Sequence, residues 1–273
     1  MFSHRRFFEF GRGPIEYAWH GPGPAAAPTL VFLHQGLGCA ELWRDLPATL
    51  AAETGLGALV YSRYGYGGSA PSPLPWPVDY MHREALEVLP EVLRAAGVRE
   101  AILVGHSDGA SIAIIHAGAK PAVPILGLVL ESAHVFTETD QLGSIDPLRR
   151  RYRGGGLRAQ LGKYHGDNVD NAFFGWADAW QQPAFRDWNL EAYLPEITVP
   201  ILLLQGLDDD QGSLAQVRAI EAQAGGTVRT LVLENCGHSP NQEQRERYLE
   251  AVRGFVSALP QRTSRLSEGA RIG

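Results

Sequence analysis

One serine of this chain lies between two glycines, in the run G-H-S-D-G at residues 105–109. The run follows a short apolar segment and precedes a second one over residues 110–119. This G-x-S-x-G pattern is typical of a sharp turn from a strand into a helix that exposes the serine hydroxyl. Such a turn strains the serine backbone. The flanking glycines have no Cβ, so the strand and the helix can approach each other closely. We therefore take Ser107 as the candidate nucleophile.

A serine hydroxyl is a poor nucleophile until a base takes its proton, and a third group must hold that base in the right tautomer. His238 lies in a loop that directly follows an apolar predicted strand and precedes a predicted helix. A side chain in such a loop reaches the ends of the strands. We therefore predict that His238 is the base, and we expect most of the nine histidines to be solvated surface residues.

The candidates for the third group are carboxylates that follow predicted strands. Asp208, Asp209 and Asp210 come after an apolar strand and Gly206. Three aspartates in a row also suit a solvated turn or a helix N-cap, but one of them would lie beside the histidine loop of the neighbouring strand. The spacing from the glycine favours Asp209, followed by Asp208. Glu131 is a rival, because a glutamate that ends an apolar strand needs a partner when it is buried.

The negative charge of an acyl-transfer intermediate needs backbone N–H donors aimed at its oxygen. The residue after the nucleophile, Asp108, is the first predicted donor, because it stands at the start of a helix where the dipole favours negative charge. The loop Q-G-L-G at residues 35–38 is predicted to supply the second, since its glycines let an N–H point inward. A tight turn alone would explain the same glycines.

The elements that hold these residues alternate between apolar runs bounded by Gly or Pro and helical patterns. This alternation predicts an α/β fold with a mostly parallel central sheet flanked by helices. Near-continuous apolar runs are typical of buried parallel strands. The helical pattern over residues 83–96 contains Pro90, which predicts a kink or a late start. The predicted strands are residues 6–10, 15–20, 29–34, 57–62, 101–106, 126–131, 201–205 and 228–234.

Residues 135–195 interrupt this alternation and are rich in aromatic side chains. Because the stretch lies between two predicted core strands, it predicts an inserted helical cap over the ends of the sheet; a helical excursion with its own small core is the alternative. The core domain would then comprise residues 1–134 and 196–260, followed by a flexible polar tail over 261–273. An aromatic roof over the pocket would favour aromatic or long acyl chains.

Composition excludes several classes of function. The formal charge of −6 over 273 residues offers no basic surface for nucleic acid or an anionic membrane, and no apolar stretch approaches the ~18 residues of a transmembrane helix. Cys39 and Cys236 form no disulfide framework, which favours the reducing cytoplasm, and we read both as small buried hydrophobic residues. The histidine spacing predicts no metal site, and no cofactor is expected. The sequence does not specify an oligomeric state.

The order Ser107, Asp209, His238 along the chain, with a His-Gly-type loop upstream, resembles the α/β-hydrolase superfamily. The likeness covers roughly residues 7–259 and includes the run R-Y-G-Y-G-G-S at residues 63–69. The resemblance implies the α/β-hydrolase fold with an inserted cap. It also implies that Ser107 is the nucleophile, His238 the general base and acid, and Asp209 the orienting carboxylate.

Two positions depart from the superfamily pattern. The usual His-Gly pair is here H-Q-G at residues 34–36, which leaves Gly36 and Leu37 as alternatives for the second oxyanion donor; we favour Gly36, two residues after the histidine. The usual aspartate before the glycine-rich loop is replaced by Ser62, so this loop must be anchored differently. Superfamily members with the acid after the earlier strand exist, which keeps Glu131 as a candidate.

These residues predict a serine hydrolase that cleaves carboxylic esters of small to medium apolar or aromatic substrates through an acyl-enzyme. A serine at position 107 argues against haloalkane dehalogenases and epoxide hydrolases, whose relatives use an aspartate nucleophile there. Two alternatives stay open: a carbon–carbon bond hydrolase of ring-cleavage products or a lactonase, and a receptor-like ligand-binding member with slow turnover. The first would use basic residues at the start of the cap, although a solvated face explains them more readily. These residues are Arg149, Arg150, Arg151, Arg153 and Arg158.

Overall fold

The structure is a computed structural model that describes residues 5–259, apart from the side chains of residues 139–142 and 144. The tail predicted for residues 261–273 lies outside the described residues. Within the described part of the chain, no helix is long and apolar enough to cross a membrane.

Eight strands make up the sheet, and they are β1 (Arg6–Phe10), β2 (Gly13–His20), β3 (Thr29–Leu33), β4 (Gly57–Tyr61), β5 (Ala101–His106), β6 (Ile125–Glu131), β7 (Ile201–Gly206) and β8 (Val228–Leu233). Their order across the sheet is β1-β2-β4-β3-β5-β6-β7-β8. β2 runs antiparallel to β1 and β4, and all other neighbours pair in parallel. The carboxyl ends of the parallel strands therefore meet at one edge of the sheet.

This mostly parallel sheet confirms the predicted fold class. β3, β4, β5 and β7 are buried along their whole length, which explains their near-continuous apolar sequences. Each predicted strand matches an observed one to within two residues at either end. The chain leaves β3 for β4 on one side and then returns to β5 on the other. Such a switch point is where open α/β sheets bind ligands, outside the carboxyl ends of the strands.

Helices cover both faces of the sheet, because alternate residues of β3 belong to different hydrophobic clusters. Leu30 and Phe32 pack with the first and last helices of the core, and Val31 and Leu33 pack with the helix that follows Ser107. The helices are α1 (Leu46–Thr54), α2 (Tyr80–Arg83), α3 (Leu89–Ala95), α4 (Asp108–Gly118), α5 (Thr139–Arg153), α6 (Gly156–His165), α7 (Val169–Trp180), α8 (Leu214–Gln223), α9 (Pro240–Glu243) and α10 (Arg245–Ala258).

The helical pattern around Pro90 is irregular, as the proline predicts. α2 passes through a π-helical segment, Glu84–Val88, into α3. Pro90 lies in the first turn of α3, directly after this segment, and a proline inside a continuous helix removes one N–H donor from the helical hydrogen bonds.

Residues 135–195, which we call the cap, lie between β6 and β7 and contain α5, α6 and α7. Buried aromatic residues of the cap, among them Phe173 and Trp180, belong to the same hydrophobic cluster as Val31 and Leu33 of β3. The cap therefore shares its core with one face of the sheet. Short 3-10 turns complete this region at Gly166–Asn168, Pro183–Asp187 and Glu191–Glu196.

Candidate active site

Ser107 lies at the turn from β5 into α4 with φ 54° and ψ −118°, a backbone conformation that L-residues rarely adopt. A Cβ at Gly109 would lie 1.9 Å from the carbonyl oxygen of Leu33, and a Cβ at Gly105 would lie 2.4 Å from the carbonyl oxygen of Gly109. Both positions therefore require glycine, because the backbones of the strand and the helix are in direct contact.

His238 follows β8, Asp209 follows β7, and the two side chains are hydrogen bonded. The His238 Nδ1 atom lies 3.0 Å from Oδ1 and 2.9 Å from Oδ2 of Asp209. Their loops approach closely at Gly206, where a Cβ would lie 2.1 Å from the carbonyl oxygen of Gly237. Because an ionised carboxylate only accepts, Nδ1 carries the hydrogen and Nε2 is left to take a proton from elsewhere. The structure thus brings the predicted base and the favoured acid together, and their roles remain predictions.

Three donors hold the Asp209 carboxylate. Besides His238, the Gln205 side-chain amide donates to Oδ2 at 2.7 Å, and the Gln211 backbone N–H donates to Oδ1 at 2.8 Å. Burial by itself raises the pKa of this carboxyl, but the contact with His238 and the two glutamine donors outweigh it and lower the pKa to about 2. Asp209 is therefore ionised at neutral pH.

Two residues fix the loop that carries His238. The Glu243 carboxylate accepts from the backbone N–H groups on either side of His238, at 2.7 and 3.0 Å. The His106 Nε2 atom donates to the carbonyl oxygen of His238 at 2.7 Å, and the two imidazole rings are 5.2 Å apart. Since His106 directly precedes Ser107, this bond brings the base loop to the nucleophile turn.

His134 neighbours both Ser107 and His238. His134 lines a cavity together with Ser107, and its ring stacks on that of His238 with 5.7 Å between centroids. Among the hydrogen bonds of residues 5–259, none joins the Ser107 hydroxyl to His238; in sites without substrate such bonds are often long and shorten in the substrate complex. Burial lowers the pKa of His106 to about 3 and that of His134 to about 4, so both imidazoles are neutral at physiological pH.

The expectation that most histidines are solvated is wrong. Five histidines besides His238 are at most 3% exposed. A neutral imidazole is buried at little cost when its ring N–H has an acceptor, and backbone carbonyl oxygens supply acceptors here, such as that of Ala85 for His116 at 2.7 Å. The five are His34, His106, His116, His134 and His165.

The two rival carboxylates have other surroundings. Asp208 is exposed. Glu131, at the end of β6, is fully buried and accepts from the backbone N–H and the side-chain amide of Asn241 at 2.7 and 2.8 Å. Burial nevertheless raises the pKa of Glu131 to about 8. Of the three candidates, Asp209 alone is hydrogen bonded to His238 within the described part of the chain.

The two predicted oxyanion donors lie on neighbouring elements. Asp108 is the first residue of α4, so its backbone N–H is one that the helix leaves without an intrahelical acceptor. Gly36 follows β3 and packs against the cap, since a Cβ there would lie 2.2 Å from the Nε1 atom of Trp176. The carbonyl oxygen of the alternative residue, Leu37, accepts from His165 at 3.2 Å. Gly36 stays the favoured second donor, as a prediction.

The cavity beside Ser107 has a volume of about 20 Å³, which is room for about one water molecule. Two indole rings of α7 line it, so the aromatic or long acyl chains expected from the sequence would require these rings to move. A larger cavity of about 680 Å³ lies at the opposite edge of the sheet, among residues that precede β3 and β5. Besides Ser107 and Asp108, the small cavity is lined by His134, Ile145, Trp176, Trp180 and Gln211.

The basic residues at the start of the cap do not line this cavity. Arg149 forms an ion pair with Asp178, and Arg158 forms one with Asp170. The other three, Arg150, Arg151 and Arg153, are exposed.

A glutamate replaces the missing aspartate of the glycine-rich loop. The Ser62 hydroxyl donates to Oε2 of Glu16 in β2 at 2.9 Å. The same oxygen accepts from the backbone N–H of Gly68 at 2.8 Å, and the Ser69 hydroxyl donates to the Ser62 carbonyl oxygen at 2.6 Å. The loop is thus anchored both to the neighbouring strand β2, through Glu16, and to Ser62 at its own start.

Both cysteines are free and buried, as the sequence predicts. Burial raises the pKa of the Cys39 thiol to about 12 and that of Cys236 to about 11, so neither is a thiolate at neutral pH. Within residues 5–259, no three His, Cys, Asp or Glu side chains come together in a group suited to a metal ion.

Three features together define the α/β-hydrolase class. The sheet is mostly parallel, with a switch point between β3 and β5; a strained serine follows β5; and an aspartate and a histidine follow β7 and β8. The chain matches the model of the alpha/beta hydrolase family over residues 30–251, and it belongs to this family.

Proteins similar to this chain have names that indicate different activities. It is 28% identical over 170 residues to the 2-succinyl-6-hydroxy-2,4-cyclohexadiene-1-carboxylate synthase of Salmonella paratyphi B, a match that covers 62% of this chain and only 60% of that enzyme. An esterase from Exiguobacterium antarcticum superposes with a TM-score of 0.74 at 22% identity, over 92% of this chain and 99% of the esterase. A proline iminopeptidase of Mycobacterium smegmatis superposes with a TM-score of 0.71 at 19% identity, over 93% and 98%. At these identities the two structures show a shared fold.

Sequence reasoning missed several residues that support the site, among them Gln205, His106 and His134. Gln205 holds Asp209, His106 holds the His238 loop, and His134 stacks on His238. Two of them could have been found from the sequence, because Gln205 and His106 are polar residues at the carboxyl ends of otherwise apolar strands. A buried polar group there needs a partner.

Gly109→Ala should lower the free energy of unfolding by about 3 kcal/mol or more, because the new methyl group would overlap the Leu33 carbonyl oxygen. Gly162→Ala is the matched control, since Gly162 lies in α6 and a methyl group added there would meet no atom within 4 Å; it should be neutral or stabilising by about 0.5–1 kcal/mol. Urea unfolding followed by circular dichroism measures both. Equal midpoints for Gly109→Ala and wild type would contradict the close packing.

Glu131 should make stability depend on pH. Between its unfolded value of 4.5 and its folded pKa of about 8, the folded protein keeps a proton that the unfolded chain has lost. The free energy of unfolding therefore falls as pH rises through this window, by roughly 1.4 kcal/mol for each unit of pKa difference that is crossed.

Glu131→Gln removes this titration, so its stability should change less between pH 5 and pH 9 than that of wild type. Denaturant unfolding at several pH values measures the difference. Parallel pH profiles for the two proteins would show that Glu131 is ionised in the folded state.

Proposed function

We propose that this protein is a serine hydrolase of carboxylic esters with a small acyl group. The observation that carries the proposal is the convergence at one sheet edge of a strained Ser107 and a His238–Asp209 pair. Membership of the alpha/beta hydrolase family supports hydrolase chemistry in general, and the ester as substrate is our inference from the site.

In the proposed reaction, the Ser107 Oγ atom attacks the ester carbonyl carbon while Nε2 of His238 takes its proton. Asp209 stabilises the imidazolium that forms, and the N–H groups of Asp108 and Gly36 bind the oxyanion. His238 then gives the proton to the leaving alcohol, which departs and leaves an acyl-enzyme. A water molecule activated by His238 releases the acid and restores the Ser107 hydroxyl.

The walls of the small cavity favour a neutral, compact acyl group. Ile145, Trp176 and Trp180 supply apolar walls, and among residues 5–259 no Lys or Arg lines the cavity. A carboxylate-bearing substrate, as expected for a carbon–carbon bond hydrolase of ring-cleavage products, would meet the Asp108 carboxylate there, and the cationic partner of Asp108, Arg63, does not line the cavity. The site therefore supports ester hydrolysis better than this alternative.

Ser107→Ala should lower the turnover of p-nitrophenyl acetate by about 10⁴-fold or more, because the covalent route is lost. Circular dichroism checks that the variant is folded. The wild-type protein should also be labelled stoichiometrically by a fluorophosphonate, and Ser107→Ala should not be. A wild-type protein that binds esters but is neither labelled nor active would instead be a receptor-like member.

Asp209→Asn should lower kcat by about 10⁴-fold, since an amide no longer holds His238 in the required tautomer. Asp208→Asn is the matched control one residue away, where the side chain is exposed, and it should retain wild-type activity. Steady-state kinetics on p-nitrophenyl acetate distinguish the two. If Asp208→Asn lost activity instead, the acid would be wrongly assigned.

Trp176→Ala should shift the preference from acetyl toward hexanoyl esters by about ten-fold or more in the ratio of kcat/KM values, because it removes one wall of the cavity. The ratio compares two esters in one protein, so any general loss of rate cancels. Trp188→Ala truncates another buried indole of the cap that does not line the cavity, and it should leave the ratio unchanged. An unaltered ratio in Trp176→Ala would mean that Trp176 does not limit the acyl group.

A further inference from the structure

A buried ion pair lies next to the proposed nucleophile. Asp108, the residue after Ser107, is 1% exposed, and Arg63, after β4, is 3% exposed. The Arg63 Nη1 atom lies 3.7 Å from Oδ2 of Asp108. Two charges removed from water gain little net stability from each other. The position of the pair beside the reacting atoms therefore calls for a functional explanation.

A second donor acts on the same carboxylate oxygen. The hydroxyl of Tyr80 lies 2.5 Å from Oδ2 of Asp108, and the indole Nε1 of Trp180 lies 2.9 Å from the Tyr80 oxygen. An indole N–H can only donate, so the Tyr80 oxygen accepts from Trp180. The hydroxyl hydrogen of Tyr80 is then directed to Asp108. The Asp108 carboxylate is thus offset by a cation and by a hydroxyl donor.

Arg63 also contacts the loop proposed to supply the second oxyanion donor. Its Nη2 atom donates to the Gln35 carbonyl oxygen at 3.0 Å, and its Nε atom donates to Nε2 of His34 at 3.4 Å. The backbone N–H of Arg63 donates to the same imidazole nitrogen at 3.1 Å. One guanidinium therefore connects the residue before Gly36 with the side chain of Asp108.

We propose that Arg63 is a positioning residue for the oxyanion site: it cancels the charge of Asp108 and holds the 35–38 loop against the nucleophile turn. This role rests on the proposed function, because it concerns the donors that the proposed mechanism uses. A carboxylate on the residue whose N–H binds the oxyanion would, if uncompensated, oppose the negative charge that develops in the transition state. The ground-state ester is neutral and is affected much less.

The test is a double-mutant cycle on p-nitrophenyl acetate hydrolysis. Arg63→Met should lower kcat by about 100-fold or more with little change in KM, as expected when transition-state stabilisation alone is lost. Adding Asp108→Asn removes the uncompensated charge and should raise kcat by about ten-fold or more in the Arg63→Met background, and by less in the wild-type background. Additive effects, or a loss confined to KM, would overturn the proposal.

Arg245→Met is the matched control, because Arg245 forms a surface ion pair with Asp45 between α10 and α1; it should leave kcat unchanged. If Arg63→Met fails to fold by circular dichroism, Tyr80→Phe and Tyr80→Phe/Asp108→Asn make the same comparison, since Tyr80 is the other group that offsets the carboxylate. Absence of rescue there also overturns the proposal.

The outcome for Ser107→Ala keeps this inference separate from the proposed function. Full activity of Ser107→Ala would defeat the serine-hydrolase mechanism itself. An inactive Ser107→Ala, together with no rescue by Asp108→Asn, would defeat the role of Arg63 alone.

Discussion

Close contact between backbones is the constraint on which this site depends. At the turn after β5, α4 approaches β3 so closely that Gly109 has no room for a Cβ beside the Leu33 carbonyl oxygen. A similar close contact occurs at the end of β7, where Gly206 lies against the backbone of the His238 loop. These contacts hold the turn that carries Ser107 against β3 and the end of β7 against the loop that carries His238.

Three carboxylates are buried at this edge of the sheet, and each has different hydrogen-bond and charge partners. Asp209 is kept ionised by His238 and by two glutamine donors. Asp108 faces a guanidinium and a phenol. Glu131, with amide donors alone, has a pKa raised to about 8 by burial. Of the three, Asp209 is the one whose partners outweigh burial and lower the pKa below its usual value, and those partners include the His238 imidazole.

Most of the fold was predictable from local patterns. Near-continuous apolar runs marked β3, β4, β5 and β7, because strands buried on both faces have few polar positions. The G-x-S-x-G run placed Ser107 at a strand end, since sterics at such a turn allow few other sequences. The residues that support the site were harder to predict from the sequence. His134 and Arg63 lie in loops, and the local sequence does not indicate which distant side chains they contact. Local sequence also misjudged the histidines, because burial depends on acceptors that come from other elements.

The sequence by itself determined the alternating α/β architecture, the strained serine turn and a short set of acids and bases after the strands, since these depend on backbone sterics and periodicity within short windows. Only the tertiary structure decided that Asp209 bonds to His238 while Asp208 is exposed and Glu131 bonds to Asn241. Only the structure shows that the aromatic side chains of the cap leave a cavity of about 20 Å³ beside Ser107. The physical reason is that hydrogen-bond partners and cavity volume arise from segments far apart in the chain, whose relative placement is set by the packing of the whole sheet and its helices.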